Sequence, residues 1–178
     1  MFRISKDPLL AAAQIVLLLS FALLALGTAA LVMAAGAFLT VQREEIFLRI
    51  AQAGAPQSAY WAGLGLILLF LIVFLAGLRF LLELNRIVRS VDAKEPFDPA
   101  NASRLARMAW LVAIAQILLI PASMIAAWLY SFANGIPGYG APRFGPSAGG
   151  LLLILTLFIL ARVFRKGAEM REDIEGTI

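Results

Sequence analysis

Four runs of the chain carry no charged residue: positions 8–42, 51–78, 108–142 and 144–161. The apolar part starts near Ala59 in the second run, reaches Tyr130 in the third and begins at Ala148 in the fourth. A bilayer core about 30 Å thick is crossed by roughly 20 apolar residues in α-helix. The pattern predicts an all-α integral membrane protein, a single membrane domain over 1–178 with spans near 10–40, 59–80, 106–130 and 148–165. A secretory signal peptide, whose apolar region is about 7–15 residues, would account for the first run only and is too short for it.

The flanks of these runs are patterned too. Between the first two spans (41–58), Ile46, Phe47, Ile50 and Ala53 recur at helical spacing opposite Arg43, Glu44 and Arg49, which predicts a short interfacial helix. Gly54 and Pro56 end it, and Tyr60 and Trp61 suit the aromatic belt at the start of span two. Past Leu78, Arg79, Glu83, Arg86 and Ser90 form a polar stripe at i, i+4, i+7, i+11. Phe80, Leu84, Ile87 and Val91 form an apolar one at the same spacing. Span two should therefore continue for about three turns, until Pro96 breaks it. Asp98 and Pro99 suit the N-cap and first position of a new helix, with Ala102, Leu105 and Ala109 on its inner face. This makes a helical hairpin near 79–107. A last helix near 162–175 carries Val163, Gly167, Met170 and Ile174 on its apolar face. These extensions of spans two, three and four are expected to pack on one another as a small bundle. The connection 131–147, rich in Gly and Pro, should be neither helix nor strand.

Span one is rich in small residues, with Ala22, Ala25, Ala29, Met33 and Ala37 near one face and Gly27, Ala30 and Ala34 near another. Such faces let membrane helices approach closely. Plain Ala-rich sequence would look the same.

Charge decides the orientation. Twelve of the fifteen Lys and Arg lie before span one, between spans two and three, or after span four; three lie in the other two loops. Basic residues stay on the cytoplasmic side, so both termini and the 79–107 hairpin are expected there. The sequence pI near 10.0 then needs no nucleic acid. Asp and Glu are concentrated on the same side, so the surface is mixed in sign and direct nucleic-acid binding is not expected.

Chemistry enters mainly by exclusion. With 62% hydrophobic residues, no Cys and no His, the chain offers no disulfide, thiolate, haem or usual zinc or copper ligation. It also lacks the common general base of neutral-pH catalysis. No nucleophile–base pair, phosphate loop or inverted repeat is evident, and no span has an ionisable residue at its centre, the usual sign of an ion path. An enzyme and a cofactor are not expected. Gln116, Pro121 and Ser123 are the strongest candidates for an intramembrane polar site, as Pro121 frees a carbonyl one turn earlier. A kink with an interhelical hydrogen bond would use the same residues. Glu169, Glu172, Asp173 and Glu175 lie among Arg165, Lys166 and Arg171 at salt-bridge spacing, which favours a solvated charged face over a cation site.

Two segments, read with the span layout, resemble a bacterial membrane family known only as domain of unknown function 2975. The first is Pro96-Phe97, then Asn101, Arg104-Leu105 and Trp110. The second is the run 163–173, followed by Gly176-Thr177-Ile178. The resemblance implies a multi-pass protein of the bacterial inner membrane, similar in arrangement to small membrane partners encoded beside compact helix-turn-helix regulators. It further implies a cytoplasmic face that docks such a regulator and controls its access to DNA. Phe97 would be the apolar anchor, Asn101 and Arg104 polar contacts, and Arg165 and Lys166 charged contacts. The same residues suit folding roles, the commoner use of positions near turns: Phe97 tucked under the bundle, Asn101 bonded across the turn, Arg165 paired with Glu169. The alternatives are a small channel, a transporter, a lipid-binding membrane protein, or an accessory subunit of a membrane complex. Membrane lipid is a partner in every case, and a homo-oligomer is compatible with the pattern.

Overall fold

The computed structural model describes residues 8–40, 43–93, 98–134 and 144–175. Five α-helices account for nearly all of them: α1 (Pro8–Leu39), α2 (Arg43–Gln52), α3 (Ser58–Asp92), α4 (Pro99–Asn134) and α5 (Ala148–Glu175). No strand occurs among the described residues. Four of the helices, all but α2, are long and apolar enough to cross a membrane. Helices α3 and α4 have 35 and 36 residues, well over the roughly 20 that a bilayer core requires. Their charged ends are therefore regular continuations of the spans. The contacts divide the chain into two compact units, taken in turn below.

One unit contains residues up to Leu24, Ala76–Ile114 and Ala148 onwards. Its core is Leu105, Met108 and Ala109 of α4 with Leu157 and Ala161 of α5, packed against Phe80, Leu84 and Ile87 of α3 and Phe164 of α5. The end of α3, the start of α4 and α5 thus share one apolar centre. Along α5 the packed stripe is Leu157, Ala161, Phe164 and Ala168, whereas Val163 and Met170 are exposed. The face expected from Val163 and Met170 is thus displaced by about 100°, one residue's turn of the helix. The stripe that won carries Ala161 and Ala168, whose small side chains let α5 come close to its neighbours. Val91 likewise faces outward. Close approach recurs where α1 meets α3, since Leu24 Cδ1 lies 3.2 Å from where a Cβ on Gly77 would stand.

The other unit contains Ala25–Leu75 and Ala115–Ser147. Tyr60 is 2% exposed. Its ring stacks on Phe38 and Phe47 with centroids 4.8 and 4.7 Å apart, and its hydroxyl donates to the Phe38 carbonyl at 3.1 Å. This carbonyl is among the last four of α1, which lack intrahelical donors. Tyr60 is therefore a buried clasp holding α2 and the end of α1, whereas Trp61, the other residue expected in the belt, is exposed. Helix α2 forms as its pattern predicts, with Ile46, Phe47 and Ile50 half-buried and Glu44, Glu45 and Arg49 exposed. Gly54 ends it at φ +65°. Its N–H donates to Ala51 O, and Ala55 N–H donates to Ile50 O, the paired bonds of a Schellman cap.

In α1, Ala22, Ala29, Ala30, Met33 and Ala34 are exposed. The expected small-residue faces are largely on the outside. Ala25, Gly27 and Ala37 are half-buried, and at Gly27 the ring edge of Phe74 occupies the space a Cβ would fill.

Candidate functional site

The charged ends of α3 and α4 hold the densest polar chemistry among the described residues. Asp98 caps α4, accepting the Ala100 N–H on Oδ1 at 2.9 Å, as an N-cap carboxylate should. Asn101, one turn into α4, is 0% exposed. Its Nδ2 donates to Ser90 Oγ of α3 at 2.7 Å, and its Oδ1 accepts from Arg104 Nη1 at 2.7 Å. Ser90 Oγ in turn donates to the Ile87 carbonyl at 2.7 Å. Arg104 also approaches Asp98 at 3.6 Å. This chain of bonds ties the last turns of α3 to the first turns of α4. Asn101 thus acts across the turn and has no surface to present.

Two turns back along α3 stands Glu83, 0% exposed. Three arginines converge on its Oε1: Arg79 at 3.0 Å, Arg86 at 3.3 Å and Arg107 of α4 at 3.6 Å. Arg86 also reaches Oε2, at 3.4 Å. Removing a carboxylate from water costs several kcal/mol, and the cost is met only by opposite charge with good geometry. Here the anion is enclosed while each guanidinium stays about half in solvent. The arginines thus hydrate their outer edges and still neutralise the carboxylate. Three cations on one anion leave a net charge of +2 at the spot. Sequence periodicity had set Glu83 on a polar stripe without indicating its burial. The legible signal was a lone acid with Arg at i−4 and i+3; the approach of Arg107 from α4 was not legible.

Arg79 and Arg107 also line an open groove of about 220 Å³, completed by Trp110, Leu111 and Ile114. A second groove, about 280 Å³, lies in the unit containing α2 and is lined by Phe38, Ile46, Ile50, Leu129 and Phe132 among others.

None of the other expected site residues that the structure describes bonds to another of them. Phe97 lies outside the described residues. Arg165 and Lys166 are exposed on α5, and Lys166, rather than Arg165, pairs with Glu169, at 3.1 Å. Gln116 is buried, but its amide is engaged by Ser147, the residue before α5. Its Oε1 accepts the Ser147 N–H at 3.3 Å and its Nε2 lies 3.5 Å from the Ser147 carbonyl. Pro121 is exposed, Ser123 is half-buried, and α4 runs through both without a break. Gln116 therefore holds the approach to α5, and neither groove is lined by it or by its two expected companions.

A family model described as protein of unknown function (DUF2975) matches residues 38–178. The match takes in α2 through α5, the arginine-ringed Glu83 and the capped hairpin. The chain belongs to the DUF2975 family. No curated protein and no solved structure matches it.

Proposed function

We propose that this DUF2975 protein is a non-enzymatic protein of a bacterial inner membrane, with both termini cytoplasmic. Its charged inner face would dock a soluble protein partner, with a small helix-turn-helix regulator as the expected class. The observation that carries the reading is that the charged ends of α3, α4 and α5 belong to one compact unit with a common core. A rigid, polar platform joined to membrane spans is what a docking site requires, because binding energy is not spent on ordering the surface. The Lys and Arg distribution supports a cytoplasmic placement of that platform. Arg165 and Lys166, exposed on α5, are the available charged contacts. Arg104 is committed to Asn101 and Asp98, so it would act mainly by shaping the hairpin.

Crosslinking and affinity capture from membranes test this. The paired charge reversal Arg165→Glu/Lys166→Glu should abolish recovery of a DNA-binding protein that the unaltered chain retains, and Phe97→Ala should weaken it. Equal recovery with every variant, or no DNA-binding protein with any, would sink the proposal.

A further inference from the structure

The groove beside Glu83 joins charge to apolar surface: Arg79 and Arg107 reach Glu83 from its polar end, and the Trp110 ring meets Phe158 edge-on at 5.8 Å. At one end are Arg79 and Arg107; the rest is Trp110, Leu111 and Ile114. On α4 these are Arg107, Trp110, Leu111 and Ile114, a single stripe at i, i+3, i+4 and i+7. The stripe is partly uncovered: Trp110 is 61% and Ile114 47% exposed, while Leu111 is half-buried. Its polar end coincides with a boundary in the sequence. Arg79 directly follows the charge-free run 51–78, and Arg107 directly precedes the charge-free run 108–142. Both guanidinium groups therefore belong where lipid headgroups lie, with the apolar stripe running from them towards the acyl chains.

The charge at that end is unbalanced. Glu83 satisfies one of the three positive charges around it, and Arg79 and Arg107, which both line the groove, remain about half exposed. With the carboxylate counted, the three guanidinium groups leave a net +2, and the two that line the groove are held in place yet still able to take an anion. Guanidinium groups bind phosphate through paired N–H donors. The geometry points to a binding site for one anionic phospholipid, such as phosphatidylglycerol: its phosphate lies between Arg79 and Arg107, and an acyl chain follows Trp110, Leu111 and Ile114. An acidic peptide would complement the charge but would have to set backbone polar groups against a stripe at bilayer depth, which is costly. The role is separate from partner docking and rests on different residues.

Trp110 supplies the probe. The protein with Trp61→Phe and Trp128→Phe is reconstituted in phosphatidylcholine vesicles containing a minor share of brominated lipid. Brominated phosphatidylglycerol should quench Trp110 well beyond the same share of brominated phosphatidylcholine. Each of Arg79→Ala and Arg107→Ala should lower that preference roughly fivefold, from the interaction of one basic residue with an anionic lipid surface. Arg89→Ala removes the same charge from α3 outside the groove and should leave most of the preference intact. Inorganic phosphate should not displace the lipid. Equal quenching by the two lipids in the intact groove overturns the site, whatever the variants do. Equal losses in all three Arg variants reduce it to diffuse surface charge, and displacement by inorganic phosphate makes it a site for the free ion; either result overturns the proposal too.

Discussion

Asn101 and Glu83 show how far a buried polar group is defined by its neighbours. Both are fully enclosed, and both are acceptable only because every strong contact is met from another helix or another turn. For Asn101 the partners are Ser90 and Arg104. Asn101→Ala removes both bonds and leaves the Ser90 hydroxyl facing a void. The loss should be about 1–3 kcal/mol of stability, the range for a buried polar group left without its partner, read as a lower midpoint of thermal unfolding in detergent. An unchanged midpoint would mean that the hairpin is held by its apolar core alone. Asp98 was legible as an N-cap because capping is local, needing only a short polar side chain before Pro99. Asn101 bonding across the turn was one of two open readings, and its partner Ser90 was not legible, since it depends on how the hairpin closes.

At the scale of elements, helices and their ends follow local rules closely. Helix α2, the Gly54 cap and the start of α4 all lie where pattern and capping chemistry put them. Helix faces were harder. Helix α1 is almost uniformly apolar around its circumference, so hydrophobicity cannot choose which side packs. The choice falls to shape, above all to the Phe74 ring seated at Gly27. Gly27→Ala should therefore cost about 1–3 kcal/mol, the usual penalty for overpacking, with much of it restored when Phe74→Leu is added. Full additivity of the two changes would mean that the ring can move aside freely. The same contest between stripes explains α5, where Ala161 and Ala168 pack and the larger Val163 and Met170 do not.

For the molecule as a whole, the charge asymmetry makes a prediction that needs no side-chain detail. The chain has no Cys, so single cysteines report cleanly. In intact cells a membrane-impermeant maleimide should label Gln52→Cys on α2 and spare Glu172→Cys on α5 until the membrane is opened. Labelling of Glu172→Cys first would reverse the orientation and, with it, the side on which a partner could dock. The 12-to-3 split of Lys and Arg is what makes the expected result firm, because the basic residues bias insertion independently of how the helices later pack.

Number of apolar helices, most helix ends and the polar continuation of α3 and α4 were written into the sequence alone; the exception is α4, which runs to Asn134 through the first four residues of a connection expected to be neither helix nor strand. Each follows from transfer of apolar side chains into lipid or from bonds within a few residues, forces that act before the helices meet. Which side of α1 and α5 packs, the enclosure of Tyr60 and the arginine ring around Glu83 came only with the tertiary structure. They depend on close approach between distant segments. Arg79 and Arg86 sit on the same helix as Glu83, but Arg107 reaches it from α4, and no single stretch of sequence contains that pairing.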